Sequence, residues 1–130
     1  MRSSVEVIGG KLMKIDKSLM AGSTVLLVLK LLSEGEKYGY EMIQELAAKS
    51  DNTFELKEGT LYPILHNLEK TKCVESSTRE TAGGRKRKYY RITEKGRGQL
   101  KEKTEEWRHF SEKVSTLVLG QGLSAAPQSL

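Results

Sequence analysis

The sequence predicts a mainly α-helical fold with a small β-hairpin: a winged helix-turn-helix domain, then a long C-terminal helix for dimerisation. Three segments with helical apolar spacing lie between residues 18 and 71. Two extended segments around a Gly-Gly pair follow them, and an apolar stripe with coiled-coil-like steps comes last. We expect four regions: an arm at 1–17, a winged domain at 18–93, a dimerisation helix at 94–119 and a disordered tail at 120–130.

The composition favours one intracellular domain. The chain has 130 residues, enough for a single domain with its own core. Its one cysteine, Cys73, cannot form an internal disulfide, so we expect a cytoplasmic protein. Cys73 is interpreted as a small buried hydrophobe, with a redox role as the alternative. The longest apolar run, 25–29, is too short to span a membrane, and lysines interrupt residues 5–20, so we expect no signal peptide.

The first two predicted helices supply most of the core. Residues 1–17 show no sustained period, and we expect an arm there, helical in part, that packs on a partner subunit. Residues 18–32 are apolar nearly all round, which predicts a central core helix with Ser23 as a candidate N-cap. Gly35 ends it, and a second helix is expected from Tyr38 to about Ser50. Its apolar face is expected to hold Tyr40, Ile43, Leu46 and Ala47.

The third predicted helix, Glu58 to Thr71, separates an apolar stripe from a polar face. The stripe consists of Leu61, Ile64, Leu65 and Leu68. Such a helix can be held to its domain by the stripe while its other side enters the major groove of B-DNA. Periodicity alone fits an ordinary amphipathic surface helix equally well. The candidate DNA-binding residues on this helix are Lys57, Thr60, Tyr62, His66, Asn67 and Lys70.

The predicted hairpin carries the excess positive charge. The net charge is +5, whereas residues 85–97 hold seven Lys or Arg against one Glu, a local charge of +6. Strands are expected at 73–79 and 87–93, with Val74, Tyr90 and Ile92 facing inward. Cations beside a glycine tip can bind phosphates or enter a minor groove, and the alternative is a solvated charged surface. The candidate DNA-binding residues here are Arg85, Lys86, Arg87, Lys88 and Tyr89.

The last predicted helix begins at the N-cap Thr93 and runs to about Leu119. Its apolar residues repeat at steps of seven, three, four and three, which indicates a seam with a second subunit. Trp107 is expected in that seam, and stacking on a ligand is the alternative. The expected interface residues are Leu100, Trp107, Phe110, Val114 and Leu117.

Separated motifs, in order, resemble the PadR family of bacterial and archaeal transcriptional regulators. They are Tyr38–Glu41, Glu58–Pro63, Leu68-Glu69 and Arg87–Gly96, within a similarity that runs from Gly22 to about Val118. The resemblance implies a winged-helix homodimer that represses at pseudo-palindromic operators in double-stranded DNA. It implies that Tyr62 with its helix neighbours and the hairpin cations contact DNA. Some relatives respond to small aromatic or planar compounds, which implies a possible effector site beside Trp107.

The sequence departs from the family pattern at two places. Lys57 stands where a serine or similar small residue is common, so the N-cap of the third helix should be weaker or come from elsewhere. Arg85 and Lys86 follow the glycine tip where the family often has a proline. The hairpin should therefore be more flexible and more cationic than is usual in the family.

The sequence offers no pattern for catalysis. His66 and His109 fall on different predicted helices and lack metal-ligand spacing with Cys73 or a carboxylate cluster. It contains neither a phosphate-loop pattern nor a nucleophile elbow. We predict a protein that is not an enzyme and uses no cofactor or metal. A dimeric operator-specific repressor is the leading hypothesis. The alternatives are a small-molecule sensor acting through a dimer cavity near Trp107 and a winged-helix module that binds protein, which the basic run disfavours.

Overall fold

The computed structural model describes residues 7–8, 11–12 and 15–120, and the fold is mainly helical with a small antiparallel sheet. This architecture confirms the predicted fold class. No helix in this part of the chain combines the length and the apolarity needed to cross a membrane. The elements in order are β1 (Val7–Ile8), β2 (Lys11–Leu12), α1 (Lys17–Ala21), α2 (Thr24–Ser33), β3 (Lys37–Tyr38), α3 (Gly39–Lys49), α4 (Glu58–Lys70), β4 (Val74–Glu80), β5 (Lys86–Ile92) and α5 (Glu94–Leu119).

Two short strands lie in the region predicted as an arm: β1 and β2 pair antiparallel. Val7 and Ile8 are β-branched, which favours extended backbone over helix. The rest of the expected arm before residue 15 lies outside the described residues, and so does the expected tail from residue 121 onward.

The single helix predicted at 18–32 is two helices. The short α1 ends at Gly22, a poor helix former, and α2 begins after Ser23. Ser23 does occupy the N-cap of α2, but its side chain makes no capping hydrogen bond. Leu19, expected in the apolar stripe, lies on α1 and is largely exposed. Most of the core role therefore falls to α2, where Val28 and Leu29 are fully buried, while Met20 of α1 packs against the same core.

The predicted apolar face of α3 is correct for Leu46, which is buried, and for Ile43, which packs against the core, but it is wrong for Tyr40. Gly39, Met42 and Leu46 are its buried residues, at steps of three and four that point towards the core. Tyr40, which was placed on the apolar face, is exposed. The Tyr40 ring lies instead on the protein surface beside α4 and the hairpin, and Met42 is the residue buried at this end of the helix.

The sheet holds the hairpin to the body of the domain. Its strand order is β3-β5-β4, all antiparallel, and β4 pairs with β5 from Val74↔Ile92 to Glu80↔Lys86. We call the β4–β5 hairpin the wing. Strand β3 was not predicted, because two residues are too few to show alternation. The inward residues are the predicted ones: Val74, Tyr90 and Ile92 are all buried.

Helix α5 begins against the end of α4. Thr93 is its N-cap, as predicted, and accepts a hydrogen bond from the Gly96 amide at 3.1 Å. The Lys95 ammonium donates to the carbonyl of Thr71, the C-cap of α4, at 2.8 Å. A Cβ on Gly96 would lie 2.1 Å from the carbonyl oxygen of Cys73, so glycine is needed for this close approach. Cys73 is buried as predicted.

Candidate nucleic-acid interface

Helix α4 has the two faces that its sequence predicts. Leu61 and Leu65 are fully buried, Leu68 is almost so, and Ile64 is partly buried against the same core. Three buried leucines anchor the helix, so its opposite side remains in solvent. All of the predicted DNA-binding positions on this helix are exposed: Lys57, Thr60, Tyr62, His66, Asn67 and Lys70.

The start of α4 is irregular, as the departure at Lys57 predicts. Lys57 is the N-cap, and its side chain makes no capping bond. Glu58 in the first turn interacts favourably with the positive end of the helix dipole. Pro63 lies inside the helix and cannot donate to the carbonyl of Gly59, so one backbone hydrogen bond is missing there. The first turns of α4 thus leave backbone polar groups near the surface.

A groove lies between the exposed side of α4 and the wing. Its floor and walls come from the β3–α3 junction, the first turns of α4 and the wing tip. It brings Tyr62 of α4 together with four predicted wing residues. The residues that line it are Tyr38, Gly39, Tyr40, Glu58, Tyr62, Arg85, Lys86, Arg87 and Lys88.

The other predicted residues of α4 lie outside this groove. Thr60 and Tyr62 are two residues apart, so their side chains leave the helix in directions about 160° apart. Thr60 therefore projects from the far edge of the exposed face. Lys57, His66, Asn67 and Lys70 are exposed on α4 but do not line the groove.

The four wing cations are not equivalent. The Arg87 guanidinium lies 4.3 Å from the centre of the Tyr38 ring, a cation–π contact. The Lys88 ammonium lies 3.5 Å from a carboxylate oxygen of Glu69 on α4. Arg85 and Lys86 are exposed, and neither forms an ion pair with any residue that the structure describes. These two cations are the ones with charge available for an external anion.

Tyr89 lies in an aromatic cluster beside the groove. Its ring meets Tyr38 edge-on at 5.4 Å between centroids, and the Arg79 guanidinium lies 4.5 Å from its centre. Arg79 also pairs with Glu36. Tyr89 is half-buried in this cluster and does not line the groove, so the structure does not bring it together with the other candidate residues.

Glu69 of α4 contacts both strands of the wing. The Ser76 hydroxyl of β4 donates to its carboxylate, and Lys88 of β5 lies near the same group. The Ser76 hydrogen bond, followed by the Lys88 charge, holds the pKa of Glu69 below its ordinary value of 4.5. Next to it, burial raises the pKa of the Tyr90 hydroxyl. The carboxylate of Glu69 is therefore charged at neutral pH, and it stabilises the wing against the helix.

The predicted seam of α5 is exposed in the single chain, except at its first residue. Leu100 packs against the core, because it lies in the part of α5 that runs beside the winged domain. Farther along, Trp107 is 46% exposed, Phe110 64% and Leu117 85%. Val114 is also exposed. The structure thus separates Leu100 from a run of apolar side chains that no part of the described chain covers.

Sequence reasoning missed Tyr38 and Gly39 as parts of the site. Their signal was a glycine between two tyrosines at the start of a helix, which is too short to indicate what it contacts. Among the described residues, no three His, Cys, Asp or Glu side chains are grouped so as to hold a metal ion.

Comparison with known proteins identifies relatives of this architecture. A family model described as the transcriptional regulator PadR-like family matches residues 28–102. The uncharacterized protein X of Lysinibacillus sphaericus is 35% identical over 106 residues, which are 82% of this chain and 97% of that protein. A transcriptional regulator structure from Clostridium thermocellum has 34% identity and a TM-score of 0.73, covering 78% of this chain and 99% of its own. A PadR family regulator structure from Eggerthella lenta has 33% identity and a TM-score of 0.69, covering 78% and 86%.

The matched segment includes α4, the whole wing and the start of α5, and it contains every predicted DNA-binding residue. Family match, fold and sequence motifs agree along this segment. The chain belongs to the PadR-like family of DNA-binding transcriptional regulators.

Proposed function

We propose that this protein is an operator-specific repressor that binds double-stranded DNA as a homodimer. The observation that carries the proposal is the groove in which Tyr62 of α4 lies beside the unpaired cations Arg85 and Lys86. A helix in the major groove needs an anchored apolar side and a free polar side, and α4 has both. Cations next to it can bind the phosphates that flank the groove.

The side chains of α4 divide into two expected roles. Asn67 can form paired hydrogen bonds with adenine, and Tyr62 and His66 can also meet base edges. Thr60, which projects away from Tyr62 near the start of the helix, can contact a phosphate. Lys57 and Lys70 stand at the two ends of the helix, where phosphates of the two strands would lie. Base readout would then come from the middle of α4, and register on the duplex from its ends and from the wing.

The homodimer part of the proposal rests on α5. This helix is 26 residues long, and its exposed apolar side chains include Trp107, Phe110 and Leu117. A contiguous apolar strip on a long helix favours a self-complementary contact with a second copy. Two copies would present their α4 helices to major grooves about one helical turn apart, which requires an inverted-repeat operator.

A small aromatic effector is a second proposal, supported by one observation. Trp107 is the chain's only tryptophan, and about half of its surface is exposed among apolar neighbours on α5. An indole ring in that position can stack on a planar ligand between subunits. Titration of planar aromatic compounds should quench its emission and weaken DNA binding, and a varied panel without any change in emission would contradict this proposal.

The DNA-reading role is tested with a duplex selected by the wild-type protein from a random-sequence library. Tyr62→Ala and Lys57→Glu should each weaken binding to this duplex by about tenfold, the loss expected for one good polar contact. Lys101→Glu, an exposed charge reversal on α5, is the matched control and should bind like the wild type. Size-exclusion chromatography should show an unchanged oligomeric state for all three variants. Wild-type affinity in both α4 variants would contradict the role of α4 as the reading helix.

A further inference from the structure

We propose that Tyr38 and Gly39, which lie outside both the reading helix and the wing, position the two halves of the DNA interface relative to each other. Gly39 fixes the orientation of Tyr62 on α4, and Tyr38 holds the wing. The inference rests on the proposed function, because its main readout is binding to DNA.

Gly39 is in direct contact with the Tyr62 ring. A Cβ placed on Gly39 would lie 2.2 Å from the hydroxyl oxygen of Tyr62, 2.7 Å from Cζ and 3.1 Å from Cε1. Any other residue at position 39 would therefore displace the ring. The backbone of Gly39 does not itself require glycine, since its φ is not in the left-handed region. Contact with Tyr62 is thus the reason for a glycine at this position.

The Tyr62 side chain contacts the protein at its hydroxyl end and remains partly exposed to solvent. Its hydroxyl end packs on buried Gly39, yet 42% of the residue remains exposed in the groove. A tyrosine that was free at both sides would sample several rotamers, and binding would then cost conformational entropy. Packing on Gly39 reduces this cost by fixing the ring before DNA arrives.

Tyr38 makes the corresponding contacts with the wing. Its backbone pairs with Tyr89 of β5, and its ring meets the edge of Tyr89 at 5.4 Å. The same ring carries the Arg87 guanidinium at 4.3 Å. The backbone amide of Tyr38 donates to the Glu41 carboxylate at 3.1 Å, which fixes it at the start of α3. Tyr38 therefore contacts the strand that leads to the wing tip through both its backbone and its ring.

Because the two residues are adjacent in the chain, one short rigid unit contacts both parts of the interface. Gly39 determines where the Tyr62 ring lies. Tyr38 determines where β5 lies, and thereby the position of Arg85 and Lys86 at the wing tip. The separation between the base-reading side chain and the phosphate-binding cations is then set by the β3–α3 junction.

The Gly39 half is tested by a double-mutant cycle on the selected duplex. Gly39→Ala should weaken binding about as much as Tyr62→Ala, by about tenfold, and the double variant should lose no more than Tyr62→Ala alone. Alanine is a better helix residue than glycine, so the far-ultraviolet circular dichroism of Gly39→Ala should be unchanged. Wild-type affinity for Gly39→Ala, or losses that multiply in the double variant, would overturn this half.

The Tyr38 half is tested by comparing a conservative with a disruptive change. Tyr38→Phe keeps the ring and should bind within about twofold of the wild type. Tyr38→Leu removes the stacking and should reduce the dependence of affinity on salt, but only while Arg85 and Lys86 are present. Equal behaviour of the two variants, or an undiminished Tyr38→Leu effect in the Arg85→Ala/Lys86→Ala background, would overturn this half.

Two measurements separate failure of this inference from failure of the proposed function. If Tyr62→Ala and Arg85→Ala/Lys86→Ala bind like the wild type, the proposed function is wrong and the inference falls with it. If those variants lose affinity and Gly39→Ala does not, only the positioning role of Gly39 is wrong. In the free protein, Tyr62→Leu should shift the amide resonance of Gly39 through loss of the ring current, and an unmoved resonance would refute the contact itself.

Discussion

Removal of the two unpaired wing cations should change how DNA affinity depends on salt. Arg85 and Lys86 have no ion pair among the described residues, whereas Arg87 is held over Tyr38 and Lys88 lies near Glu69. Each cation that neutralises a phosphate contributes about 0.9 to the slope of log affinity against log salt. In a dimer, Arg85→Ala/Lys86→Ala removes four such cations. The slope should therefore become shallower by up to about 3.6.

The magnitude is large enough to measure directly. For a fourfold rise in salt concentration, a slope change of about 3.6 reduces the ratio of wild-type to variant affinity by up to about 150-fold. The variant should thus be much weaker at low salt and approach the wild type as salt increases. Because phosphates carry no sequence information, the loss should be similar for the selected duplex and for an unrelated duplex.

Fluorescence anisotropy of a labelled duplex over a series of salt concentrations gives the slope for each variant. Lys30→Ala/Lys101→Ala is the matched control: it removes the same charge from exposed positions on α2 and α5. The control should keep the wild-type slope. A wing variant whose slope equals that of the control would refute the assignment of Arg85 and Lys86 to phosphates.

Three further predictions concern stability and assembly. Phe110→Ser should weaken self-association about 30-fold or more, as removal of an aromatic anchor does, and sedimentation velocity that shows an unchanged dimer would refute the α5 seam. Gly96→Ala should lower the free energy of unfolding by about 1–3 kcal/mol in chemical denaturation, because its Cβ would meet the backbone oxygen of Cys73, which cannot swing aside; wild-type stability would contradict the tight packing. Glu69 has a folded-state pKa below 4.5, so its hydrogen bond with Ser76 stabilises the protein above that pH and ceases to do so as pH falls through the folded value. The melting temperature of Glu69→Gln should therefore be lower than that of the wild type at neutral pH, and the difference should shrink as the pH falls through the folded-state pKa of Glu69. A difference that stays constant as the pH is lowered would contradict this linkage.

The helices and strands with periodic sequences could be predicted, because the spacing of their apolar residues follows from which side of the element is buried. The leucine stripe of α4 and the alternation of Tyr90 and Ile92 in β5 repeat often enough to show which side faces the core. The cap at Thr93 was also visible, since a local side chain makes the bond. These features depend on residues only a few positions apart in the chain.

The features that could not be predicted depend on contacts across the fold. Strand β3 has two residues and exists because β5 is there to pair with it. Tyr40 was placed in the core by its hydrophobicity, whereas Met42 fills that space and Tyr40 lies at the groove. Likewise, the sequence shows four wing cations in a row, but only the fold shows that Arg87 and Lys88 already have partners.

The anchored start of α5 couples the movement of this helix to that of α4. Lys95 and Thr93 fasten its first turn to the backbone at the end of α4 and the start of β4, so the two helices should turn as one piece. With 26 residues at 1.5 Å each, α5 is about 39 Å long, and a tilt of about 10° moves its far end by about 7 Å relative to its root. In a dimer joined through α5, a small change in the angle between the two α5 helices would therefore move the two α4 helices by several ångströms. Such a movement would change whether both α4 helices can enter successive major grooves of one duplex.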